Sequence, residues 1–485
     1  MIKNFTSFSS LGIFNLYLSI IIIIFTLPIS HAKAQTINHN TKQPQTPNET
    51  LIQAANNNNH QPDQNTPTQS FPQTRHLILI SIDALTPDTY LNPKNPTPNL
   101  QTLKKQGTHT RHMTSTFPAY TYPAHAAMLT GQTPSNTNIT YNAPRNSKGE
   151  WNWHTTAIQA PTLWTALKSA HLSTAAIQWP ISVSPEITYN IPEIWDPNTP
   201  QDRITQTRRY SSPGLLEKIE KNATGTLTPE NMDEEHFSMD QNTARAAAYI
   251  FSTYKPSFLA LHFASLDGTG HHYGRGADST RLALASIDAG IGHLLEAVQR
   301  SGLKDSTTIL ITGDHGMVTM KYALRPNIWI KGLGARFHTA GGSCFLYPDD
   351  PKDTLAAQRI TRRLKNLPGK YRRLFRIYDK ERLIRMGADR EAVLALVARD
   401  GYVFSGYETG EEMVSVHGGH HGYDPSNPKM YTGFIAAGAG IRKGGEIKSL
   451  KITDIAGIVA HLLNVDFPTP AGKIPAGLLS SPEHK

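Results

Sequence analysis

Short apolar runs alternate with longer segments of helical spacing along most of this chain, and this alternation constrains its fold more than any other feature. The first apolar run, Leu77 to Ile82, is bounded by polar residues, which is typical of a strand buried on both faces. Further strand-like runs lie at residues 173–178, 258–263, 307–312 and 433–437. Apolar residues at helical spacing occupy residues 99–105, 162–169, 243–254, 280–299 and 452–463. This order predicts an α/β fold, a sandwich with a mostly parallel central sheet.

One stretch departs from that alternation. Between residues 320 and 415 the elements become shorter and more polar, with helix-like stretches at residues 353–364 and 389–398. We interpret residues 320–415 as a small inserted subdomain. The insertion divides the main domain into residues 75–319 and 416–485.

The first 34 residues have the features of a secretory signal peptide. Lys3 provides a positive start, Leu16 to Leu27 is almost wholly apolar, and small residues predict cleavage near Ala34. An uncleaved membrane anchor is the alternative, because the apolar stretch could be extended from Leu11 to the roughly 18 to 20 residues that a span needs.

The segment that follows, residues 35–74, is rich in Asn, Gln, Thr and Pro and has few large apolar side chains. Such a segment cannot offset its ordering entropy by burial, so we expect a disordered linker. No later segment is long and apolar enough to span a membrane. We therefore expect a periplasmic or secreted protein, with N-terminal membrane anchoring as the alternative.

Charge and cysteine content exclude several classes of protein. Lys and Arg number 47 against 38 Asp and Glu, a formal charge of +9, but they form no dense basic stripe of the kind that marks nucleic-acid binders. We therefore expect no binding to nucleic-acid duplexes. Cys344 is the single cysteine, which excludes an intramolecular disulfide and a thiolate zinc cluster.

Acidic and histidine residues follow three of the predicted strands. Because the carboxyl ends of parallel strands meet at one edge of a sheet, we expect these side chains to lie together there. A single Asp after a strand more often forms a turn or caps a helix N-terminus than binds a metal ion. Together with one later histidine they make a set that suits two divalent ions such as Zn²⁺ or Mn²⁺. The candidate ligands are Asp83, Asp267, His271, Asp314, His315 and His421.

The segment from Thr121 to Gly131 predicts a short helix that starts with a hydroxyl side chain. Pro123 lies near the first turn, small helix-forming residues follow it, and Gly131 provides the stop. A hydroxyl at the helix N-terminus lies near a positive dipole end and unpaired N–H groups, which favour an alkoxide and an incoming phosphate. Thr121 is therefore a candidate nucleophile, with an ordinary N-cap threonine as the alternative.

Five sequence blocks occur in a characteristic order between residues 76 and 463. The blocks are Asp83, the Thr-Tyr-Pro-x-His-x-x-x-x-Thr-Gly block from Thr121, the pair Asp267 and His271, the block Gly313 to Met317, and the block His421 to Pro425. They resemble the nucleotide pyrophosphatase/phosphodiesterase branch of the alkaline phosphatase superfamily. The resemblance implies an alkaline-phosphatase-like three-layer sandwich.

The resemblance also implies a centre of two divalent metal ions, in the first place Zn²⁺. The implied ligands are Asp267, His271 and His421 for one ion, and Asp83, Asp314, His315 and Thr121 for the other. Thr121 would attack phosphorus, Asn142 would donate to a phosphoryl oxygen, and water would then hydrolyse the phospho-threonine ester.

Two positions in this alignment have competitors. Thr116 also begins a Thr-Phe-Pro sequence, but Tyr120 stands where the motif has His, whereas Thr121 is followed by His at the required position. At the last block, only His421 is followed by Gly-Tyr-Asp-Pro. His420 is the reserve, and His417 is the third histidine there.

The residues expected to contact substrate favour a diester. Monoesterases of this superfamily with a Thr nucleophile carry a Lys-x-Arg where this chain has Gln178-Trp179-Pro180, so Trp179 lies where extra cations would be needed. Tyr122 resembles the family's aromatic beside the nucleophile, and His262 stands where a second stacking aromatic is expected. The implied function is an exported phosphodiesterase or nucleotide pyrophosphatase. A phosphomonoesterase, a phosphonate hydrolase and a catalytically silent anion-binding relative remain the alternatives.

Overall fold

The structure is a computed structural model that describes residues 73–147, 150–233, 237–468 and 474–480. The predicted signal peptide and nearly all of the predicted linker lie outside these residues. The described residues all belong to one compact unit. Thr74 is already buried, and its hydroxyl lies 2.7 Å from that of Thr308. Among the described residues, no helix combines the length and the apolar character that a bilayer crossing requires.

The strands of the described residues are short, and the longest span seven residues. They are β1 (His76–Ile82), β2 (Thr108–Thr114), β3 (Thr174–Ile177), β4 (Tyr189–Ile191), β5 (Phe258–Phe263), β6 (Thr307–Thr312), β7 (Val318–Thr319), β8 (Tyr322–Leu324), β9 (Ala335–Ala340), β10 (Ser343–Pro348), β11 (Phe375–Asp379), β12 (Leu394–Ala398), β13 (Tyr402–Phe404), β14 (Met413–Ser415), β15 (Gly419–His420), β16 (Thr432–Gly438), β17 (Gly445–Ile447) and β18 (Leu450–Lys451).

The α-helices lie mainly between strands of the central sheet. They are α1 (Asp88–Leu91), α2 (Pro98–Gln106), α3 (Thr121–Thr130), α4 (Pro134–Thr137), α5 (Leu163–Ser169), α6 (Ile204–Tyr210), α7 (Leu215–Ile219), α8 (Phe237–Tyr254), α9 (Ser265–Tyr273), α10 (Asp278–Arg300), α11 (Pro326–Trp329), α12 (Ala356–Lys365), α13 (Gly369–Arg372), α14 (Lys380–Arg385) and α15 (Asp454–Leu462).

The central sheet has the strand order β17-β2-β16-β6-β1-β5-β3-β4, with β18 beside β2. Strand β1 is parallel to both β5 and β6, whereas β16 is antiparallel to its neighbours. Along β1, Ile78 and Ile80 face one apolar core, and Leu77 and Leu79 face another on the opposite side. The sheet is therefore covered on both faces, which confirms the predicted α/β sandwich with its mostly parallel sheet.

The segment that the sequence sets apart has sheets of its own. Strands β9 to β12 form an antiparallel sheet in the order β11-β12-β10-β9, which we call the inserted sheet, and β8, β13 and β14 form a three-stranded one. Their apolar side chains share a core with Ala119, Val318 and Tyr423, which lie outside residues 320–415. The inserted sheet is thus packed directly against the loops that carry the candidate site.

One predicted element is wrong. Residues 389–398 do not form a helix; they contain β12, a central strand of the inserted sheet whose five residues are all buried. A run this short and apolar has no periodicity that separates a buried strand from a buried helix, and pairing with β10 and β11 decides the outcome. The other helix predicted in this stretch is present as α12.

Candidate active site

Three neighbouring parallel strands deliver the acidic candidates to one edge of the central sheet. In the order β6-β1-β5, Asp314 follows β6, Asp83 follows β1, and Asp267 lies in α9, directly after β5. The carboxyl ends of adjacent parallel strands meet at the same edge, where ligands bind in open α/β sheets. The strand order therefore brings together three carboxylates that are far apart in the sequence.

The first group of donors is deeply buried. His315 Nε2 lies 3.2 Å from Asp83 Oδ1 and 3.3 Å from Asp314 Oδ2. The side chains of all three residues are at most 7% exposed. Ligands at 2.0 to 2.2 Å around a tetrahedral ion lie about 3.3 to 3.6 Å from one another. The spacing of these atoms matches a set of ligands to one ion.

The second group lies beside the first. Asp267 Oδ2 is 3.0 Å from His271 Nε2, and ligand atoms of Asp267, His315 and His421 all lie within 4.8 Å of one another. The rings of His315 and His421 are stacked with their centroids 3.7 Å apart. The structure thus brings all six candidate ligands into one cluster.

Each of the three histidines in this cluster has its Nδ1 atom held by a backbone carbonyl. The contacts are His271 with Gly419 O at 3.0 Å, His315 with Gly316 O at 3.1 Å and His421 with Ala119 O at 3.0 Å. A carbonyl only accepts, so Nδ1 carries the proton of the neutral imidazole and Nε2 presents its lone pair. Burial lowers the pKa of His421 well below its ordinary value, which keeps this ring neutral. Such second contacts fix the orientation of metal-binding imidazoles.

The competing histidines of the last block have different surroundings. His420 Nδ1 accepts the backbone N–H of His421 at 3.0 Å, so in the neutral ring the proton lies on Nε2. This contact occupies the Nδ1 lone pair of the neutral ring, while ligand atoms of His420, His271 and His421 all lie within 4.8 Å of one another. His417 is exposed. These contacts favour His421 as the ligand.

Two buried carboxylate oxygens of the cluster indicate whether its residues fit metal ions. Among the described residues, the buried oxygens Asp267 Oδ1 and Asp314 Oδ2 have no hydrogen-bond partner. A buried carboxylate oxygen without a partner is costly unless a cation compensates it. Carboxylates combined with imidazole nitrogens suit Zn²⁺ and Mn²⁺. The residues present fit two such ions.

The candidate nucleophile begins helix α3, as predicted. Helix α3 runs from Thr121 to Thr130 and is capped by Gly131, whose φ of 68° is left-handed. Thr121 Oγ1 lies 3.3 Å from His315 Nε2 and so faces the ligand cluster. The competitor Thr116 is buried and donates its hydroxyl proton to Pro118 O at 2.8 Å. The structure therefore brings Thr121, and not Thr116, to the cluster.

A pair of buried imidazoles connects helix α3 to Asp83. His125 Nδ1 donates to Thr121 O at 2.7 Å, and its Nε2 lies 3.2 Å from His262 Nδ1. His262 Nε2 is in turn 3.4 Å from Asp83 Oδ2. His262 is 2% exposed, so it supports Asp83 from behind and offers no face to a substrate, contrary to the stacking role expected from the sequence.

Two further residues expected to contact substrate are buried. Tyr122 is fully buried, and its hydroxyl donates to Glu193 Oε2 at 2.7 Å. Trp179 is also fully buried, with its ring packed edge-on against His125 at 4.9 Å. Neither ring presents a face to solvent in this structure, because each is packed beneath the elements that cover helix α3.

Two tryptophans that the sequence did not single out form an aromatic surface beside Tyr122. Trp151 packs edge-on against Tyr122 at 5.0 Å, and Trp195 lies 4.3 Å from Trp151. Both tryptophans are partly exposed. Their sequence signal is weak, because they come from two loops with no spacing that relates them to Thr121.

Asn142 lies at the N-terminus of helix α3. Its Oδ1 accepts the backbone N–H of Tyr122 at 3.1 Å, and its side chain is partly exposed. This contact turns the Nδ2 amide away from the helix. Among the described residues, that amide makes no other hydrogen bond. The amide protons are therefore available to an anion bound at Thr121.

Comparison with known proteins identifies the family. The family model described as type I phosphodiesterase / nucleotide pyrophosphatase matches residues 77–424. Human ectonucleotide pyrophosphatase/phosphodiesterase family member 7 is 24% identical over 419 residues, which cover 82% of this chain and 82% of the relative. The human bis(5'-adenosyl)-triphosphatase ENPP4 is 24% identical over 407 residues, which cover 80% of this chain and 78% of that protein.

Solved structures support the same fold. Murine ectonucleotide pyrophosphatase/phosphodiesterase 5 matches with a TM-score of 0.60 and 19% identity, over 81% of this chain and 96% of that one. The human protein of the same name matches with a TM-score of 0.59 and 20% identity, over 81% and 96% of the two chains. These matches confirm the predicted alkaline-phosphatase-like fold class. The chain belongs to the type I phosphodiesterase / nucleotide pyrophosphatase family, which confirms the enzyme class predicted from its sequence, a hydrolase of phosphodiesters or nucleotide diphosphates.

Proposed function

We propose that this chain is an exported phosphodiesterase or nucleotide pyrophosphatase in which Thr121 is the nucleophile of a two-metal centre. One observation carries the proposal. His315 Nδ1 lies 3.1 Å from Gly316 O, so in the neutral ring Nε2 brings a lone pair toward the carboxylates of Asp83 and Asp314, at 3.2 and 3.3 Å. Atoms that all bring lone pairs into a buried space repel one another unless a cation lies among them.

The proposed ligand sets are those that the family resemblance implies. They are Asp267, His271 and His421 for one ion, and Asp83, Asp314, His315 and the Thr121 hydroxyl for the other. The first set is supported by the 3.0 Å contact of Asp267 with His271 and by ligand atoms of His421 that lie within 4.8 Å of those of each. The second is supported by the grouping of Asp83, Asp314 and His315 and by the 3.3 Å contact of Thr121 with His315. We propose Zn²⁺ for both positions. When bound, the two ions would neutralise charge on the phosphoryl group and on the attacking and leaving oxygens.

The chain itself supplies the nucleophile and its orientation. In the first step a bond forms between Thr121 Oγ1 and phosphorus, and the bond from phosphorus to the leaving alcohol or phosphate breaks. The hydroxyl proton is released and the leaving group takes up a proton. In the second step, a water oxygen bonds to phosphorus, the bond from phosphorus to Thr121 Oγ1 breaks, and Oγ1 takes up a proton released by the water. The positive end of the α3 dipole favours the negative charge at both steps.

We assign two further tasks to the residues around Thr121. The Nδ2 amide of Asn142 would donate to a non-bridging phosphoryl oxygen, because Tyr122 N–H holds the other end of this side chain. The exposed edges of Trp151 and Trp195 would pack against the group on the far side of the phosphate, a nucleobase or another aromatic. A diester with such a group is the substrate class that this surface favours.

The relatives point in the same direction. A bis(5'-adenosyl)-triphosphatase is among them, and an inactive variant of murine ectonucleotide pyrophosphatase/phosphodiesterase 5 in complex with AMP matches with a TM-score of 0.60 and 19% identity. We extend a nucleotide-type substrate to this chain on the basis of its two tryptophans. Export is proposed from the signal-like sequence of the first 34 residues.

The test compares esters with one common leaving group. Purified protein is assayed on the 4-nitrophenyl ester of thymidine 5'-monophosphate, on bis(4-nitrophenyl) phosphate and on 4-nitrophenyl phosphate, with and without a chelator. We expect kcat/KM for the diesters to exceed that for the monoester by about 100-fold, and the chelator to abolish all activity. Comparable low rates on all three esters would contradict a diesterase, and no hydrolysis of any would indicate a silent anion-binding relative.

A further inference from the structure

The loop that carries Asn142 is anchored in the inserted sheet by the neighbouring residue. The Tyr141 side chain is buried, and its ring lies 4.4 Å from that of His338 on β9 and 5.7 Å from that of Phe345 on β10. It belongs to an apolar cluster built largely from the inserted sheet. Two adjacent residues thus point into two different regions, Asn142 toward helix α3 and Tyr141 into the inserted sheet.

A directed chain of hydrogen bonds fixes the Tyr141 hydroxyl. Tyr347, on β10, donates its only hydroxyl proton to Asp389 Oδ2 at 2.6 Å. The 2.7 Å contact between the hydroxyls of Tyr141 and Tyr347 therefore has Tyr141 as the donor. Asp389 is held in turn, because its Oδ1 accepts the backbone N–H of Glu391 at 2.8 Å.

Contacts other than the hydrogen bonds of Tyr141, Tyr347 and Asp389 also hold this loop. The Arg145 guanidinium lies over the Tyr347 ring, 4.1 Å from its centroid, and also pairs with Glu391. On the side of helix α3, the backbone carbonyl of Asn142 accepts the N–H of Asn152 at 3.0 Å. The loop is therefore attached both to the inserted sheet and to the side of helix α3. The buried hydrogen bonds of the Tyr141 hydroxyl form part of the first attachment.

We propose that Tyr141, Tyr347 and Asp389 are positioning residues that set the direction of the Asn142 amide and so couple the inserted sheet to phosphoryl transfer. The inference rests on the role proposed above for Asn142. A donor at the phosphoryl oxygen acts only when it is aligned, and a misplacement of about 1 Å can cost up to about 100-fold in rate. The hydrogen bonds among Tyr141, Tyr347 and Asp389 supply that alignment, and these three residues do not contact the substrate.

The experiment is a double-mutant cycle on the full-length protein. Tyr347→Phe, which removes one hydroxyl and keeps the ring, is measured alone and combined with Asn142→Ala, on bis(4-nitrophenyl) phosphate. Alone it should lower kcat about tenfold with KM changed less than about twofold. In the Asn142→Ala background it should lower kcat by less than about twofold, because the residue it positions is absent. Asp389→Asn is the second variant and should behave in the same way.

Tyr90→Phe is the matched control, because the Tyr90 hydroxyl is buried and donates to Thr110 O at 2.7 Å, in the main domain. It should leave kcat within about twofold in both backgrounds. The proposal is overturned if Tyr347→Phe leaves kcat unchanged, or if it lowers kcat by the same factor with and without Asn142.

Hydrogen exchange of residues 138–147 provides a readout that does not depend on activity. Tyr347→Phe should speed amide exchange in this segment by about tenfold, whereas Tyr90→Phe should not. Unchanged exchange would overturn the anchoring itself. If the wild-type protein hydrolyses no diester, the proposed function fails. The exchange result then decides by itself whether the hydrogen bonds of Tyr141, Tyr347 and Asp389 hold the Asn142 loop.

Discussion

The ligand cluster contacts Thr121 and the aromatic surface contacts Tyr122, but the chain builds these two regions in different ways. The three carboxylates of the cluster come from the ends of β6, β1 and β5, which are neighbours in the central sheet, and His421 follows β15. Trp151 and Trp195 come from loops, and only their packing against each other and against Tyr122 relates them. The first region is therefore fixed by sheet topology, and the second by local packing.

This difference separates chemistry from specificity. A ligand set fixed by strand order tolerates no displacement of a single donor, because each buried oxygen and nitrogen is balanced only by the complete set. A surface built from loops can change its side chains without disturbing the sheet. We expect substitutions in the cluster to change kcat strongly, and substitutions on the aromatic surface to change KM.

The largest effect is expected at the nucleophile. Thr121→Ala should lower kcat on diesters by about 10³-fold or more, because no other side chain replaces the attacking oxygen. Its metal content and melting temperature should stay close to those of the wild type. Thr116→Ala is the matched control and should retain kcat within about threefold. Substantial turnover by Thr121→Ala would contradict the assignment of the nucleophile.

Removal of one ligand should have the next largest effect. His271→Ala should lower kcat by about 100-fold and reduce the bound metal by about one ion per chain, measured by elemental analysis. The adjacent His272 is exposed and provides the control, since His272→Ala should keep the full metal content. Full metal occupancy in His271→Ala would place the ligand elsewhere.

The aromatic surface should affect binding alone. Trp151→Ala should raise KM about tenfold for the 4-nitrophenyl ester of thymidine 5'-monophosphate, since stacking of a base on an aromatic ring contributes about 1 to 2 kcal/mol. KM for methyl 4-nitrophenyl phosphate, which has no base, should change less than about twofold. An equal rise for both esters would show that Trp151 does not contact the base.

The smallest effect on activity is expected at Trp179. This ring is fully buried, so Trp179→Phe should lower the free energy of unfolding by about 1 to 2 kcal/mol through imperfect packing. KM for the nucleotide ester should remain within about twofold of the wild-type value. Chemical denaturation and steady-state kinetics measure the two quantities, and a large change in KM would return Trp179 to the substrate pocket.

The sequence predicted for a physical reason that the candidate carboxylates lie at one edge of the central sheet. A buried parallel strand has a continuous apolar run, and the residue that follows it, such as Asp83 or Asp314, lies at the sheet edge wherever the strand is placed. The strand order determines how close these residues lie to one another, but the sequence pattern alone indicates which residues lie at the edge. Helix α3 was also predicted correctly, because Pro123 near its start and Gly131 just after its end are local signals.

Positions that depend on contacts between loops could not be predicted in this way. The depth of His262 and Trp179 depends on which elements cover them, and no local pattern carries that information. The sequence of β12 is compatible with a helix or a strand, and only its pairing with β10 and β11 distinguishes the two. The anchoring of Tyr141 by Tyr347 joins residues 206 positions apart.

The metal content of the purified full-length chain is the most direct test of the proposed centre. Elemental analysis after dialysis against metal-free buffer should give about two transition-metal ions per chain, and Asp314→Asn should give about one. A value near zero in the wild-type protein, unchanged after incubation with Zn²⁺, would contradict the two-metal centre and with it the proposed role of Thr121.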